Sequence, residues 1–193
     1  MSNKEEATPS GKPVVHVPIG GFSVTRVPTV LQTVLGSCVS ACLYDTVHRV
    51  AGMIHLLLPG KVAFFAFDES SCYGIGAMQR LINEITNRGG SQACLEAKIF
   101  GGGHILSSAS LANSTGIKNV EFLENFLHME KIPLISQDTG GSFTRRVFFH
   151  TDSFEVSVEK IAATEQFEVS AEEEELFKKV QEQIRKPSDI EFF

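Results

Sequence analysis

The 193 residues of this chain are enough for one compact domain with a sizeable core and too few for two full domains. Hydrophobic residues make up 42% of the sequence and charged residues 21%, which is typical of a globular protein rather than a disordered or membrane-spanning one. A formal net charge of −6 disfavours nucleic acid as the main partner, because phosphate binding needs clustered Lys and Arg.

The sequence also lacks segments that would direct it into a membrane. No apolar run approaches the roughly 20 residues that a membrane-spanning helix needs. The first residues, MSNKEEATPSGKP, have no apolar core of the kind found in signal peptides. We therefore predict a cytoplasmic protein without direct membrane insertion.

The four cysteines are Cys38, Cys42, Cys72 and Cys94. Thiols in the cytoplasm stay reduced, so an even number of cysteines does not imply disulfides there. A zinc site would need closely spaced CxxC or HxxxH pairs, and the sequence has neither. We expect no metal and no cofactor, and we expect most of the thiols to be small buried side chains.

Composition divides the chain into three parts. Residues 1–13 are polar and are expected to form a disordered leader. Residues 14–162 carry the apolar patterning of a folded domain. Residues 163–193 form an acidic extension, in which Leu176, Val180 and Ile184 recur every four residues and predict a helix. That helix could pack on the surface of the domain or serve as a partner-binding arm.

Apolar spacing within the domain predicts a mixture of strands and helices. Helical periodicity occurs over residues 73–87, ahead of Arg88-Gly89-Gly90, and again over residues 117–129. Connections are mostly short, so we predict a single α+β domain of mostly antiparallel, sandwich-like β-sheets flanked by helices. Besides the segments discussed next, the predicted strands are residues 14–19 and 22–27, with a glycine turn between them, and residues 97–100, 134–137, 145–149 and 154–158.

Two apolar runs, residues 33–44 and 50–58, flank a short polar break and predict an antiparallel hairpin, although a helix beginning at Ser37 has a similar pattern. Cys38 follows a glycine and a serine, a context that can present a thiol at an exposed turn, where a substrate can reach it. His55 lies in an apolar run, where an imidazole is costly to bury without partners. The hairpin would bring Cys38, His55 and Thr33 together. On the residues alone, a core histidine and a buried structural thiol remain the commoner interpretations.

Five segments together are similar to the CheD family of chemoreceptor glutamine deamidases. Their order and spacing match over roughly residues 14–160, and a match of several segments is far more specific than a lone motif. The segments are TVLGSCVSACLYD at 33–45, GMIHLLLP at 52–59, AKIFGGG at 97–103, GIKN at 116–119, and DTGG at 138–141 followed by RRVFF at 145–149.

This resemblance implies a protein-glutamine glutaminase. Cys38 would be the nucleophile, His55 its general base, and Thr33 the third polar group that supports the histidine, with Ser37 as the alternative to Thr33. The implied reaction converts Gln side chains on cytoplasmic helices of chemoreceptors to Glu and releases ammonia through a thioester, during chemotactic adaptation. The resemblance also implies binding to a CheC-type phosphatase of the response regulator CheY.

A second interpretation comes from a different class of function. The protein could be a regulatory binding module that acts by stoichiometric contact with chemoreceptors or with a CheC-type phosphatase, while deamidation is minor or absent. The presence of both Cys38 and His55 favours the enzyme. The glycine-rich segment 101–103 lacks the Lys-Ser/Thr ending of a phosphate-binding loop, so we predict a structural turn that lines the cleft.

Overall fold

The computed structural model describes residues 11–58, 69–104 and 115–161, together with Glu175. The predicted leader up to residue 10 and, apart from Glu175, the predicted acidic extension lie outside these residues. Within the described ranges no helix combines the length and the hydrophobicity needed to cross a membrane.

Nine strands and two α-helices make up this part of the chain. The strands form two sheets, which we call the small sheet, in the order β1-β3-β8-β9, and the large sheet, in the order β2-β5-β4-β6-β7. In chain order the elements are β1 Val14–His16, β2 Phe22–Thr25, β3 Val30–Leu35, β4 Val39–Asp45, β5 Val50–Leu56, α1 Glu69–Asn87, β6 Leu95–Gly101, α2 Thr115–Met129, β7 Leu134–Thr139, β8 Arg145–His150 and β9 Val156–Lys160.

The sheets and helices form three layers. One face of the large sheet packs against the small sheet, and both helices cover its other face. β4 and β5 belong to the large sheet, between the small sheet on one side and the helices on the other, and every one of their residues is buried. This burial on both faces explains why their sequences are continuous apolar runs instead of alternating patterns. Arg145 of β8 joins the two sheets through an ion pair with Asp138 of β7, at 2.8 Å.

The predicted fold class is confirmed. Five of the seven strand pairings are antiparallel, and the exceptions are β1 with β3 and β6 with β7. The predicted hairpin forms between β4 and β5. The helix considered from Ser37 does not form, because these residues pair with neighbours on both sides as a central strand.

Two details differ from the sequence-based prediction. The apolar run 33–44 is not one strand: it divides at Gly36-Ser37 into β3 of the small sheet and β4 of the large sheet. Likewise β1 and β2, which the glycine turn was expected to connect as neighbours, belong to different sheets. In both places the chain crosses from one layer to the other, a step that apolar periodicity cannot distinguish from a continuous strand or a hairpin.

Candidate active site

Cys38 lies where the chain crosses from the small sheet to the large sheet. β3 ends at Leu35, Gly36 and Ser37 form the crossing, and Cys38 immediately precedes β4. The Cys38 side chain is fully buried in the apolar cluster between the sheets. The turn exists, but the predicted exposure of its thiol is wrong: the segment crosses between two packed sheets, so the Cys38 side chain lies in the layer between them.

His55 lies on the neighbouring strand and on the same face of the large sheet. In the register between β4 and β5, Ser40 is directly opposite His55. Continuing that register by alternation places Cys38 opposite Leu57, so that His55 is the diagonal neighbour of Cys38. Cys38, Cys42 and Leu57 all belong to the cluster that faces the small sheet. Because opposite residues of an antiparallel pair share a face, the His55 imidazole projects into the same layer as the Cys38 thiol.

Thr33 reaches His55 from the opposite sheet. Its side chain on β3 is fully buried, and its Oγ1 lies 2.7 Å from Nδ1 of His55 and 2.9 Å from the carbonyl oxygen of Val17. The hydroxyl has one hydrogen, and the carbonyl oxygen can only accept a hydrogen bond. Both contacts are satisfied when Thr33 donates to Val17 and accepts from the Nδ1–H group of His55.

This arrangement selects one tautomer of the histidine. With the proton of the neutral ring on Nδ1, Nε2 carries the lone pair that can take a proton from a thiol. The sequence left Ser37 as an alternative to Thr33, and the structure places Thr33 at hydrogen-bond distance from His55 Nδ1. Thr33 on β3, His55 on β5 and Cys38 just before β4 thus all lie in the layer between the two sheets, and Thr33 contacts His55 there.

The backbone around Cys38 is held by the glycine turn 101–103. Gly102 N–H donates to the carbonyl of Cys38 and Gly103 N–H to the carbonyl of Gly36, each at 2.7 Å. Gly101 has a φ of 103°, and a Cβ at this position would overlap the Cys38 carbonyl oxygen. The turn was predicted to be structural, and its structural role is to support the segment that carries the thiol.

Asn119 was not singled out by the sequence-based prediction. Its side chain on α2 is fully buried, and its Nδ2 donates to the carbonyl of Ser37 at 2.9 Å. The only signal in the sequence was the position of Asn119 at the end of the segment GIKN, residues 116–119, which is one of the five segments similar to the CheD family.

Cys42, on β4, provides a contrast with Cys38, which lies just before this strand. It is fully buried, and this burial raises the pKa of its thiol far above the ordinary value, although Lys98 and Ser40 act in the opposite direction. Four residues of extended strand span about 13 Å, whereas disulfide-bonded Cα atoms lie about 4.4–6.8 Å apart. Cys42 is therefore a core thiol, as its sequence context predicted, and is not placed to form a disulfide with Cys38.

One group of potential metal ligands occurs in the described part of the chain, formed by Asp45, His48 and Cys94. The carboxylate of Asp45 already accepts four hydrogen bonds, from the backbone N–H groups of Val47, His48 and Ser91 and from Nδ1 of His48. These bonds use the lone pairs that a metal would need. The group therefore stabilises the turn after β4.

Fold and site together describe an α+β sandwich with a cysteine and a threonine-supported histidine in the layer between two sheets. A family model described as CheD chemotactic sensory transduction matches residues 57–160. The "Probable chemoreceptor glutamine deamidase CheD 1" of Shewanella oneidensis is 42% identical over 144 residues, which cover 74% of this chain and 69% of that protein. The chain belongs to the CheD family.

Other relatives agree with this assignment. The "Probable chemoreceptor glutamine deamidase CheD 1" of Geobacter sulfurreducens is 40% identical over 158 residues, covering 78% of this chain and 79% of that protein. The "Probable chemoreceptor glutamine deamidase CheD" of Saccharophagus degradans is 36% identical over 156 residues, covering 78% of this chain and 71% of that protein. A solved structure, the hypothetical protein YfiH of Bacillus licheniformis, is 15% identical with a TM-score of 0.38, covering 63% of this chain and 49% of that chain.

Proposed function

We propose that this protein deamidates glutamine side chains of chemoreceptors, with Cys38 as the nucleophile, His55 as the general base and Thr33 as the group that orients His55. The observation that carries the assignment is the contact of 2.7 Å between Thr33 Oγ1 and His55 Nδ1, together with the donation of the Thr33 hydroxyl to Val17. This contact keeps the ring proton on Nδ1, so Nε2 is the basic nitrogen of a histidine that lies in the same layer as the Cys38 thiol.

The residues account for each proton in the reaction. His55 Nε2 takes the thiol proton of Cys38, and the thiolate attacks the side-chain carbonyl carbon of glutamine. The protonated imidazole then returns a proton to the departing nitrogen, so that ammonia leaves and a thioester remains. Water then gives a proton to the same nitrogen of His55 and attacks the thioester. The C–S bond breaks, the imidazolium returns its proton to the Cys38 sulfur, and the product acid loses a proton to solvent to become glutamate. Each event replaces a neutral amide of the receptor with a negative carboxylate.

Two parts of the proposal concern the setting of this reaction. The substrate glutamines lie on the cytoplasmic helices of the receptors, so we place the activity in the cytoplasm. We also propose a CheC-type phosphatase as a binding partner, since the family resemblance implies one. The resemblance also implies that the phosphatase and the receptor compete for the same surface of this protein. Addition of a purified CheC-type phosphatase should therefore lower the rate of receptor deamidation in proportion to the complex formed; an unchanged rate at saturating phosphatase would argue against this competition.

The test of the enzyme compares Cys38→Ala with Cys42→Ala. Both variants remove a fully buried thiol from the cluster between the sheets, so they are matched in burial and in the atoms that they remove. Receptor protein is incubated with each variant, and the conversion of Gln to Glu is followed as a mass increase of about one dalton per site, since NH₂ is replaced by OH.

We expect Cys42→Ala to retain deamidation and Cys38→Ala to lose it. Deamidation by Cys38→Ala at the wild-type rate would refute the nucleophile assignment. If neither the variants nor the wild type deamidates, while all of them bind receptor, the protein acts as the regulatory binding module considered from the sequence.

A further inference from the structure

The side chain of Asn119 connects the two backbone segments that flank the proposed active site. Its Nδ2 donates to the carbonyl of Ser37, the residue before Cys38, at 2.9 Å. Its Oδ1 accepts from the backbone N–H of Leu58, three residues after His55, at 3.3 Å. A planar amide is suited to this bridge because it carries a donor and an acceptor on one rigid group.

The bond to Ser37 acts directly on the peptide that carries the nucleophile. The carbonyl of Ser37 and the N–H of Cys38 belong to one planar peptide unit, so fixing the carbonyl fixes the start of Cys38. The carbonyls on either side, of Gly36 and Cys38, accept bonds from Gly103 and Gly102. Three consecutive carbonyls are therefore held by three separate donors, and Asn119 supplies the middle one.

The placement of α2 makes this contact possible. A Cβ added to Gly116, near the start of the helix, would overlap backbone atoms of Gly102 and Gly103. The helix thus meets the glycine turn backbone against backbone, which brings Asn119 within reach of both Ser37 and Leu58. With its side chain fully buried, Asn119 faces no competition from water for these bonds.

From this geometry we propose that Asn119 is a positioning residue, which fixes the peptide of Cys38 relative to the strand that carries His55. The inference rests on the proposed chemistry of Cys38 and His55, but Asn119 acts through the backbone and does not touch the reacting atoms. Small displacements of reacting groups lower a rate steeply: an error of 1 Å can cost about a hundredfold.

The first test is Asn119→Ala, which removes both bonds. We expect kcat for receptor deamidation to fall roughly tenfold to a hundredfold while KM changes less than about twofold, because only the alignment of Cys38 is disturbed. Phe126→Leu is the matched control: Phe126 is buried on the same face of α2, two turns further from Cys38, and its truncation weakens helix packing without removing a hydrogen bond. Its kcat should match that of the wild type.

The second variant, Asn119→Asp, keeps the acceptor for Leu58 N–H but places a second oxygen against the Ser37 carbonyl. A protonated carboxyl can donate in place of the amide. The ratio of variant kcat to wild-type kcat should therefore rise as the pH is lowered, at temperatures below both melting points. This variant also tests the positioning role of Asn119 if Asn119→Ala does not fold. A ratio that stays constant with pH would contradict a positioning role.

A third readout separates this inference from the proposed function. Alkylation of Cys38 by iodoacetamide, located by peptide mass spectrometry, requires a thiolate but no receptor. Because Cys38 is fully buried, its alkylation rate is expressed relative to that of the equally buried Cys42, which corrects for opening of the core. Asn119→Ala should slow this alkylation about tenfold at neutral pH relative to wild type and Phe126→Leu, because proton transfer to His55 depends on alignment. If the wild type alkylates at Cys38 but does not deamidate, the proposed function fails while slower alkylation still supports Asn119. Equal kcat and equal alkylation rates in Asn119→Ala and wild type would overturn the inference.

Discussion

Replacing Thr33 with Val tests how far the histidine depends on its support from the opposite sheet. The change keeps the size of the side chain but removes the hydroxyl that contacts His55 Nδ1 at 2.7 Å and Val17 at 2.9 Å. A neutral hydrogen bond contributes about 0.5–1.5 kcal/mol net, which corresponds to roughly a 2- to 12-fold change in rate. We expect the fall in kcat to lie near the upper end of this range, since the ring also loses the contact that selects its tautomer.

The same substitution should affect stability. His55 Nδ1–H and the carbonyl of Val17 both become buried groups without this partner, and each such group costs about 1–3 kcal/mol, partly offset because no hydroxyl is buried. A net loss of about 2 kcal/mol would lower the melting temperature by roughly 4–8 °C in a chain of this size. Deamidation kinetics on receptor protein and a thermal melt give the two measurements.

Thr33→Ser is the matched control, because it keeps the hydroxyl and removes only the methyl group. Its kcat should lie within about twofold of the wild type, while its stability falls by about 0.8 kcal/mol for the lost methyl. Equal kcat in Thr33→Val and wild type, or equal losses in Thr33→Val and Thr33→Ser, would show that the hydroxyl does not support the base.

Two further predictions concern the backbone and the pH dependence of folding. Gly101→Ala places a Cβ against the Cys38 carbonyl at a φ of 103°. Urea denaturation should show that the free energy of unfolding falls by about 3 kcal/mol or more, and activity should be lost. In the control Gly76→Ala, the added Cβ meets nothing within 4 Å in α1, so this variant should gain up to about 1 kcal/mol of stability and remain active. Burial raises the pKa of Asp45, but hydrogen bonds from the backbone and side chain of His48 and from other backbone N–H groups outweigh it and hold the pKa below its ordinary value of 3.8. The stabilisation is therefore present above about pH 5 and is lost as the pH falls through 3.8 and below. The free energy of unfolding of Asp45→Asn should therefore fall less steeply with decreasing pH in that range. The same pH dependence in the variant and the wild type would show that the Asp45 carboxylate does not contribute this stabilisation.

The elements themselves followed from local patterns in the sequence. Helical spacing with a glycine stop predicted residues 73–87, and the helix ends at Asn87, with Gly89 at a φ of 88° and Gly90 N–H bonded to the carbonyl of Ile85. The hairpin of β4 and β5 was predicted from two apolar runs around a polar break. These features depend on residues close in sequence, so a single sequence contains the information.

The division of residues 33–44 between two sheets could not be predicted in the same way. Gly36 and Ser37 permit the crossing, but small residues also occur inside buried strands and helices, so the pattern alone does not indicate a change of layer. The consequence is large, because the crossing separates Thr33 from Cys38 and allows Thr33 to approach His55 from the facing sheet. As neighbours within one strand, Thr33 and Cys38 could not have met His55 from two sides.

The sequence by itself determined the class of the fold, the membership of the family and the identity of the three residues proposed for the site. Only the tertiary structure decided how those residues come to lie in one layer and which contacts hold them there. The contact of Thr33 with His55 spans 22 residues, and Asn119 reaches Ser37 across 82 and Leu58 across 61. Contacts at such separations depend on how sheets and helices pack together, and side-chain patterns along one strand or helix do not encode that packing.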